Sequence, residues 1–226
     1  MKRWLISGYL FVVSFTVSAQ TYKYIDSSKV IGLKGYKAYL NKNHKGRLVE
    51  ITQIIPDIKL DIRYATTNNF TGQQVYREAR AFARLPVVKA LAKVQAELKN
   101  RGMALKIFDA YRPYSVTLKF YEIAKDTTYV ADPRKGSRHN RGCAIDLTLI
   151  DLKNGQELDM PTGYDSFEKA AWAYYTNLSA QQIKNRDFLR SIMEKYHFTV
   201  YPTEWWHFDF KGWEDYELMD IPFESL

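Results

Sequence analysis

Reactive sulfur and imidazole are scarce in this 226-residue chain: it has one cysteine, Cys143, and four histidines, His44, His139, His197 and His207. A lone thiol excludes an intramolecular disulfide and any cysteine-rich zinc module. There is no internal repeat, low-complexity tract or interdomain linker, and the length calls for only one core. With 46% apolar and 26% charged residues, the composition also excludes disordered and collagen-like chains. The formal net charge is +8, but Lys and Arg are spread along the chain without a dense block. The basic balance therefore reads as a solvated surface, and no nucleic-acid partner is expected.

The first nineteen residues read as a secretory signal peptide: Lys2 and Arg3, an uncharged stretch over 4–19, then Val17, Ser18 and Ala19 before the expected cleavage point. That stretch falls short of the ~20 apolar residues of a membrane span. The expected product is an exported protein, periplasmic or extracellular, without stable membrane insertion. Residues 20–47 are polar and rich in Lys and Tyr, and read as an N-terminal arm. Residues 48–226 make one domain.

Within that domain, 48–66 has β-branched residues with partial alternation and reads as extended, followed by a loop over 66–72. Val87, Leu91, Val94 and Leu98 fall at helical spacing between Pro86 and Gly102, which predicts a helix over 86–101. The apolar segment 103–113 predicts a buried strand ending at Asp109 to Arg112, and a helix follows over 114–125. Residues 142–151 alternate as a strand, with Asp146 on the face opposite Ile145. Helices are expected over 166–176 and 179–196, and a last strand over 205–210. Long helices and short strands without a βαβ rhythm indicate an α+β fold.

Two segments can carry chemistry. SRHNRGCAIDL (137–147) holds His139 and Asp146, and PTEWWHF (202–208) holds Glu204 and His207. Two histidines and an aspartate supply the neutral and anionic ligands of a zinc site that keeps a position open. Gly142 lets the chain fold back so that His139 and Asp146 can approach one ion. Glu204 is placed on the loop after Pro202, beside the metal, where a general base is needed. Either segment alone is explained as well by core packing and a salt bridge. Together, two apolar histidine segments each with an acidic companion are costly unless they serve one site. Arg112 either pairs with Asp109 or stabilises an oxyanion. His44 reads as an exposed loop residue, His197 as a helix-end residue and Cys143 as a packing residue.

The sequence resembles the zinc D-alanyl-D-alanine dipeptidases, which include the enzymes of vancomycin resistance. The resemblance rests on SRHNRGCAID (137–146), EWWH (204–207), DAYRP (109–113) and DIRYATTNNF (61–70), and spans roughly 48–210. It implies a compact α+β domain with a central antiparallel sheet flanked by helices, shared with zinc D,D-carboxypeptidases and the hedgehog signalling domain. It further implies one Zn²⁺ per chain held by His139, Asp146 and His207, with Glu204 as general base and Arg112 as transition-state stabiliser. Asp165 corresponds to the residue receiving the substrate ammonium group, although an N-cap role for the helix expected after it accounts for it too. Ser137 corresponds to a position near the substrate, and Tyr64 and Phe70 fall in a matching segment as pocket or core residues. The implied activity is hydrolysis of the dipeptide D-Ala-D-Ala. The alternatives are a D,D- or L,D-carboxypeptidase acting on peptidoglycan stems and a non-catalytic zinc-containing module that binds wall peptides.

Overall fold

The computed structural model describes residues 21–226, so the signal peptide expected over 1–19 lies outside the described residues. From residue 21 a turn leads into β1 (Val30–Ile31) and α1 (Leu33–Lys42), and a second turn into β2 (Leu48–Glu50). The segment after residue 48, expected to be extended, holds β2 but then winds into one helical turn, α2 (Ile51–Ile54). Ile51 and Ile55, four apart, are both buried there, and the Ile51 N–H donates to the Ala81 carbonyl at 2.9 Å. Core burial of that pair outweighs the β-propensity of the local sequence.

β3 (Lys59–Leu60) and β4 (Phe82–Arg84) precede α3 (Leu85–Lys99), the helix read from the Val87–Leu98 spacing. Pro86 occupies its first turn, where no N–H is missed, and Val87, Val88, Leu91, Val94 and Leu98 are fully buried on one face. Buried Gln95 accepts from the Leu105 N–H at 2.9 Å and pins the helix to β5 (Met103–Asp109). α4 (Tyr114–Ala124) follows, then β6 (Ala144–Asp151), α5 (Ala180–Lys195), β7 (Phe198–Tyr201), β8 (Glu204–Phe210) and β9 (Leu218–Met219). α5 opens with a reciprocal capping box between Ser179 and Gln182.

Five strands form the central sheet in the order β3-β5-β6-β8-β7, antiparallel except for the short parallel β3 edge. α3 packs on β5 and α5 on β7 and β8. β6 is buried from Ala144 through Ile150, on both faces. Each of its Ile and Leu side chains contributes on the order of 1.5–3 kcal/mol by leaving water. Two-stranded pairs, β2–β4 antiparallel and β1–β9 parallel, flank the sheet.

No helix forms over 166–176. That stretch bends through a single 3₁₀ turn, Lys169–Ala171. The Ala173 N–H donates to the Pro202 carbonyl, which ties the segment to the β7–β8 turn and keeps it from continuing as a helix. Asp165, at φ +60°, caps no helix. No helix among the described residues is long and apolar enough to cross a membrane.

Candidate metal centre and its cleft

Strand register assembles the centre. Across three adjacent strands, Asp109 of β5 faces Asp146 of β6, and Asp146 faces His207 of β8, so side chains from one row meet on one side of the sheet. A bulge between Ile107 and Asp109 adjusts the first of these pairings. Glu204 lies on the strand, as the first residue of β8, and not on the preceding loop. In a regular strand residues three apart face opposite sides, but the register shifts between Val200 and Tyr201, where Tyr201 pairs with Glu204. Glu204 Oε2 is thereby brought to 3.6 Å from His207 Nδ1.

His139 comes from a 3₁₀ turn, His139–Arg141, that ends at Gly142. Gly142 has φ +69°, and a Cβ there would meet Leu48 Cδ2 at 2.6 Å, so glycine is required by both conformation and space. Buried Asn140 anchors the turn: its amide donates to the Arg112 carbonyl at 2.9 Å and Thr117 Oγ1 at 2.8 Å, and its carbonyl accepts from the Ser137 N–H at 2.7 Å. Ser137 Oγ accepts from the His139 N–H at 3.2 Å.

His139 Nδ1 lies 2.6 Å from the Ala110 carbonyl, which can only accept, so Nδ1 carries the hydrogen and Nε2 presents a lone pair. His207 Nε2 lies 2.9 Å from Asp209 Oδ1, which likewise draws the hydrogen to that side and turns the Nδ1 lone pair inward. His139 Nε2 and His207 Nδ1 are 3.1 Å apart, and each lies within 3.3 Å of Asp146 Oδ1. Oδ1 is buried without a hydrogen-bond partner, whereas Oδ2 accepts from Tyr164 Oη at 2.9 Å. Three lone pairs crowded this closely repel one another unless a cation sits among them. His139, Asp146 and His207 can hold a metal ion, and their N₂O donor set suits zinc. The same demand for positive charge shows at His207: burial disfavours its imidazolium, yet Asp209 and Asp146 hold it well above histidine's ordinary range.

A cleft of about 480 Å³ opens over this cluster. Glu204 lines it, and burial, with Asp146 adding to the effect and His207 opposing it, raises its carboxyl to about 7. Arg112, also lining the cleft, donates through Nε and Nη2 to Asp109 Oδ2 at 2.9 and 2.7 Å. Its Nη2 is 3.9 Å from Asp146 Oδ2, and its guanidinium lies over the Phe120 and Tyr64 rings. The Asp109 pairing and the place in the cleft, read from sequence as alternatives, therefore coexist.

The D-ala-D-ala dipeptidase family profile matches residues 44–221 of the chain. The chain belongs to the D-Ala-D-Ala dipeptidase family. It is 36% identical over 179 residues to the D-alanyl-D-alanine dipeptidase of Escherichia coli strain K12, covering 79% of this chain and 92% of that one. It is 31% identical over 195 residues to the Enterococcus faecium D-alanyl-D-alanine dipeptidase, covering 77% and 93%. Among solved structures it is similar to the LdcB LD-carboxypeptidase, with a TM-score of 0.43 and 20% identity, covering 74% of this chain and 69% of that one.

The other residues that resemblance to the D-Ala-D-Ala dipeptidases had pointed to also gather here. Asp165 lines the cleft, its Oδ2 accepting from Tyr64 Oη at 2.9 Å; burial and the charge of Asp146 hold its carboxyl well above the usual carboxylate range. Ser137, Tyr64 and Phe70 line the cleft as well. His44 and His197 are exposed and outside it. Cys143 is buried beside the site, and burial pushes its thiol up to about 12, which keeps it from acting as a nucleophile. Two supporting groups escaped sequence reading. Asp209 lies two residues after His207 on one strand, so alternation already placed it on the same face. Tyr164 sits on an irregular loop and carries no periodic signal.

Proposed function

We propose that this chain is a zinc metallopeptidase that hydrolyses D-Ala-D-Ala, a cell-wall peptide. The observation that carries the reading is the convergence of three lone pairs from His139, Asp146 and His207, with the Glu204 carboxylate 3.6 Å from the cluster. Zinc bound by these three residues would supply Lewis acidity, polarising the scissile carbonyl and acidifying water at the site.

The protein's own groups do the rest. Glu204, with a carboxyl raised to about 7, takes a proton from the attacking water and returns it to the leaving amine. A carboxylate of that basicity accepts and releases a proton near neutrality at little cost. Arg112, fixed by Asp109 from one side, stabilises negative charge as it develops on the carbonyl oxygen. Asp165 receives the substrate's free ammonium group; this charge, brought beside a half-buried carboxyl, compensates the desolvation that otherwise favours its neutral form. A non-catalytic wall-peptide module would have no use for Glu204, whose desolvation is costly.

Glu204→Gln should retain stoichiometric zinc and lose roughly 10²–10⁴-fold in kcat. Undiminished turnover in that variant removes the proposed base. Offered both free D-Ala-D-Ala and an N-blocked stem peptide ending in D-Ala-D-Ala, the zinc-loaded protein should cleave the free dipeptide preferentially. Preference for the blocked peptide would instead make it a carboxypeptidase and take away the role given to Asp165.

A further inference from the structure

D-Ala-D-Ala is a zwitterion, so a cleft that meets its ammonium with Asp165 leaves its carboxylate to be matched. We propose that Arg138 receives the terminal carboxylate of the substrate and selects peptides that carry one. This rests on the dipeptidase reading and assigns the opposite end of the same site.

Of the cleft's cationic side chains, two are already committed. Arg112 gives two hydrogen bonds to Asp109, and Arg141 donates to the Tyr216 carbonyl. Lys135 lines the cleft but is exposed, and no ring or carboxylate holds it in place among the described residues. Arg138 differs from all three. Its Nε is buried without a hydrogen-bond partner and forms a looser ion pair with Asp209 Oδ2 at 3.6 Å, while the side chain as a whole is 36% exposed. His207 Nε2 engages the other oxygen of Asp209, Oδ1, at 2.9 Å, so the Nε side of Arg138 keeps its ion pair with Oδ2 and the Nη side is left to meet a ligand. The Arg138 guanidinium lies over the Trp213 ring at 4.8 Å and the Tyr201 ring at 5.5 Å, which restrict its motion before any ligand arrives.

The position suits the role. Arg138 precedes His139 in the chain and neighbours Asp209, whereas Asp165 lies among Tyr64, Arg112 and Glu204. The two charges therefore belong to different parts of the cleft, with the metal ligands reached from both. A planar guanidinium held by two rings and an ion pair on its Nε side can offer its Nη groups to a carboxylate bidentately, where an ammonium on a mobile stem does not.

The test compares free D-Ala-D-Ala with its C-terminal amide, equal in length but lacking the carboxylate. The wild-type enzyme should favour the free acid at least about tenfold in kcat/KM, and Arg138→Gln should raise KM for the acid roughly 10–100-fold with kcat and zinc content little changed, leaving the amide nearly as before. Lys135→Gln should keep the wild-type preference. Arg138→Gln retaining the wild-type acid-to-amide ratio, or losing both substrates equally, overturns the assignment, as does collapse of the ratio in Lys135→Gln alone. Should Arg138→Gln fail to fold, Arg138→Lys keeps the charge without the fork and should show an intermediate ratio; an unchanged ratio there counts against the proposal. A wild-type enzyme that cleaves neither substrate overturns the dipeptidase reading itself, and this assignment with it.

Discussion

Asp209 shows how much of the centre's character lies behind the ligands. It never faces the metal position, but by accepting from His207 Nε2 it decides which imidazole nitrogen is free. Ala110 does the same for His139 with a backbone carbonyl, and Tyr164 ties down one oxygen of Asp146 so that the other is left bare. Asp209→Asn preserves the size of the side chain but removes its charge and allows its amide to face the ring. Zinc affinity should then fall about 10–100-fold, measured by competition with a chromogenic chelator, while the far-UV spectrum stays unchanged. Wild-type affinity in the variant would show that His207 needs no such partner.

At the scale of elements, α3 and α5 are tied at their ends by Glu97, whose Oε2 accepts from Lys195 Nζ at 2.6 Å and Tyr196 Oη at 2.7 Å. These bonds, Lys195 first, lower the Glu97 carboxyl from 4.5 to about 2. A carboxyl depressed in the folded state stabilises the fold fully above its unfolded value and ceases to do so as pH falls through the folded one. Glu97→Gln should therefore melt below the wild type at pH 6, and the gap should close between pH 4.5 and about 2. A gap independent of pH would mean that the contact acts by packing and not by charge.

The same scale separates what the sequence discloses from what it conceals. α3 is legible because Val87, Leu91, Val94 and Leu98 are all fully buried on its core side, so burial follows helical period. The cluster of His139, Asp146 and His207 is legible because histidine and aspartate in apolar segments need a reason to be there. Residues 166–176 are not, since the bond that sets their path runs from Ala173 to Pro202, 29 residues away in no periodic pattern. Nor is the side on which Glu204 emerges, because it depends on the register shift beside Tyr201 rather than on strand alternation.

For the whole molecule, the centre joins a turn, β6 and β8 through groups that repel when nothing positive lies between them. Zinc binds the folded arrangement and not the unfolded chain, so its removal should lower stability by about 4 kcal/mol if the free metal stands at 1,000 times Kd. For a chain of this size that corresponds to a fall in Tm of roughly 10 °C on chelation, restored by zinc. Equal melting of the zinc-loaded and chelated protein would place the ion outside the cooperative unit.

The row from Asp109 through Asp146 to His207 makes zinc a gauge of how the sheet has been assembled. If β6 slipped by one residue, Ile145 or Leu147 would stand where Asp146 does, and the ion would lose its only oxygen donor of the three. Mispaired sheets are thus blind to the metal, and correctly paired ones are drawn off by it. In a refolding mixture the fraction of chains able to take up zinc counts those whose strands found their proper partners.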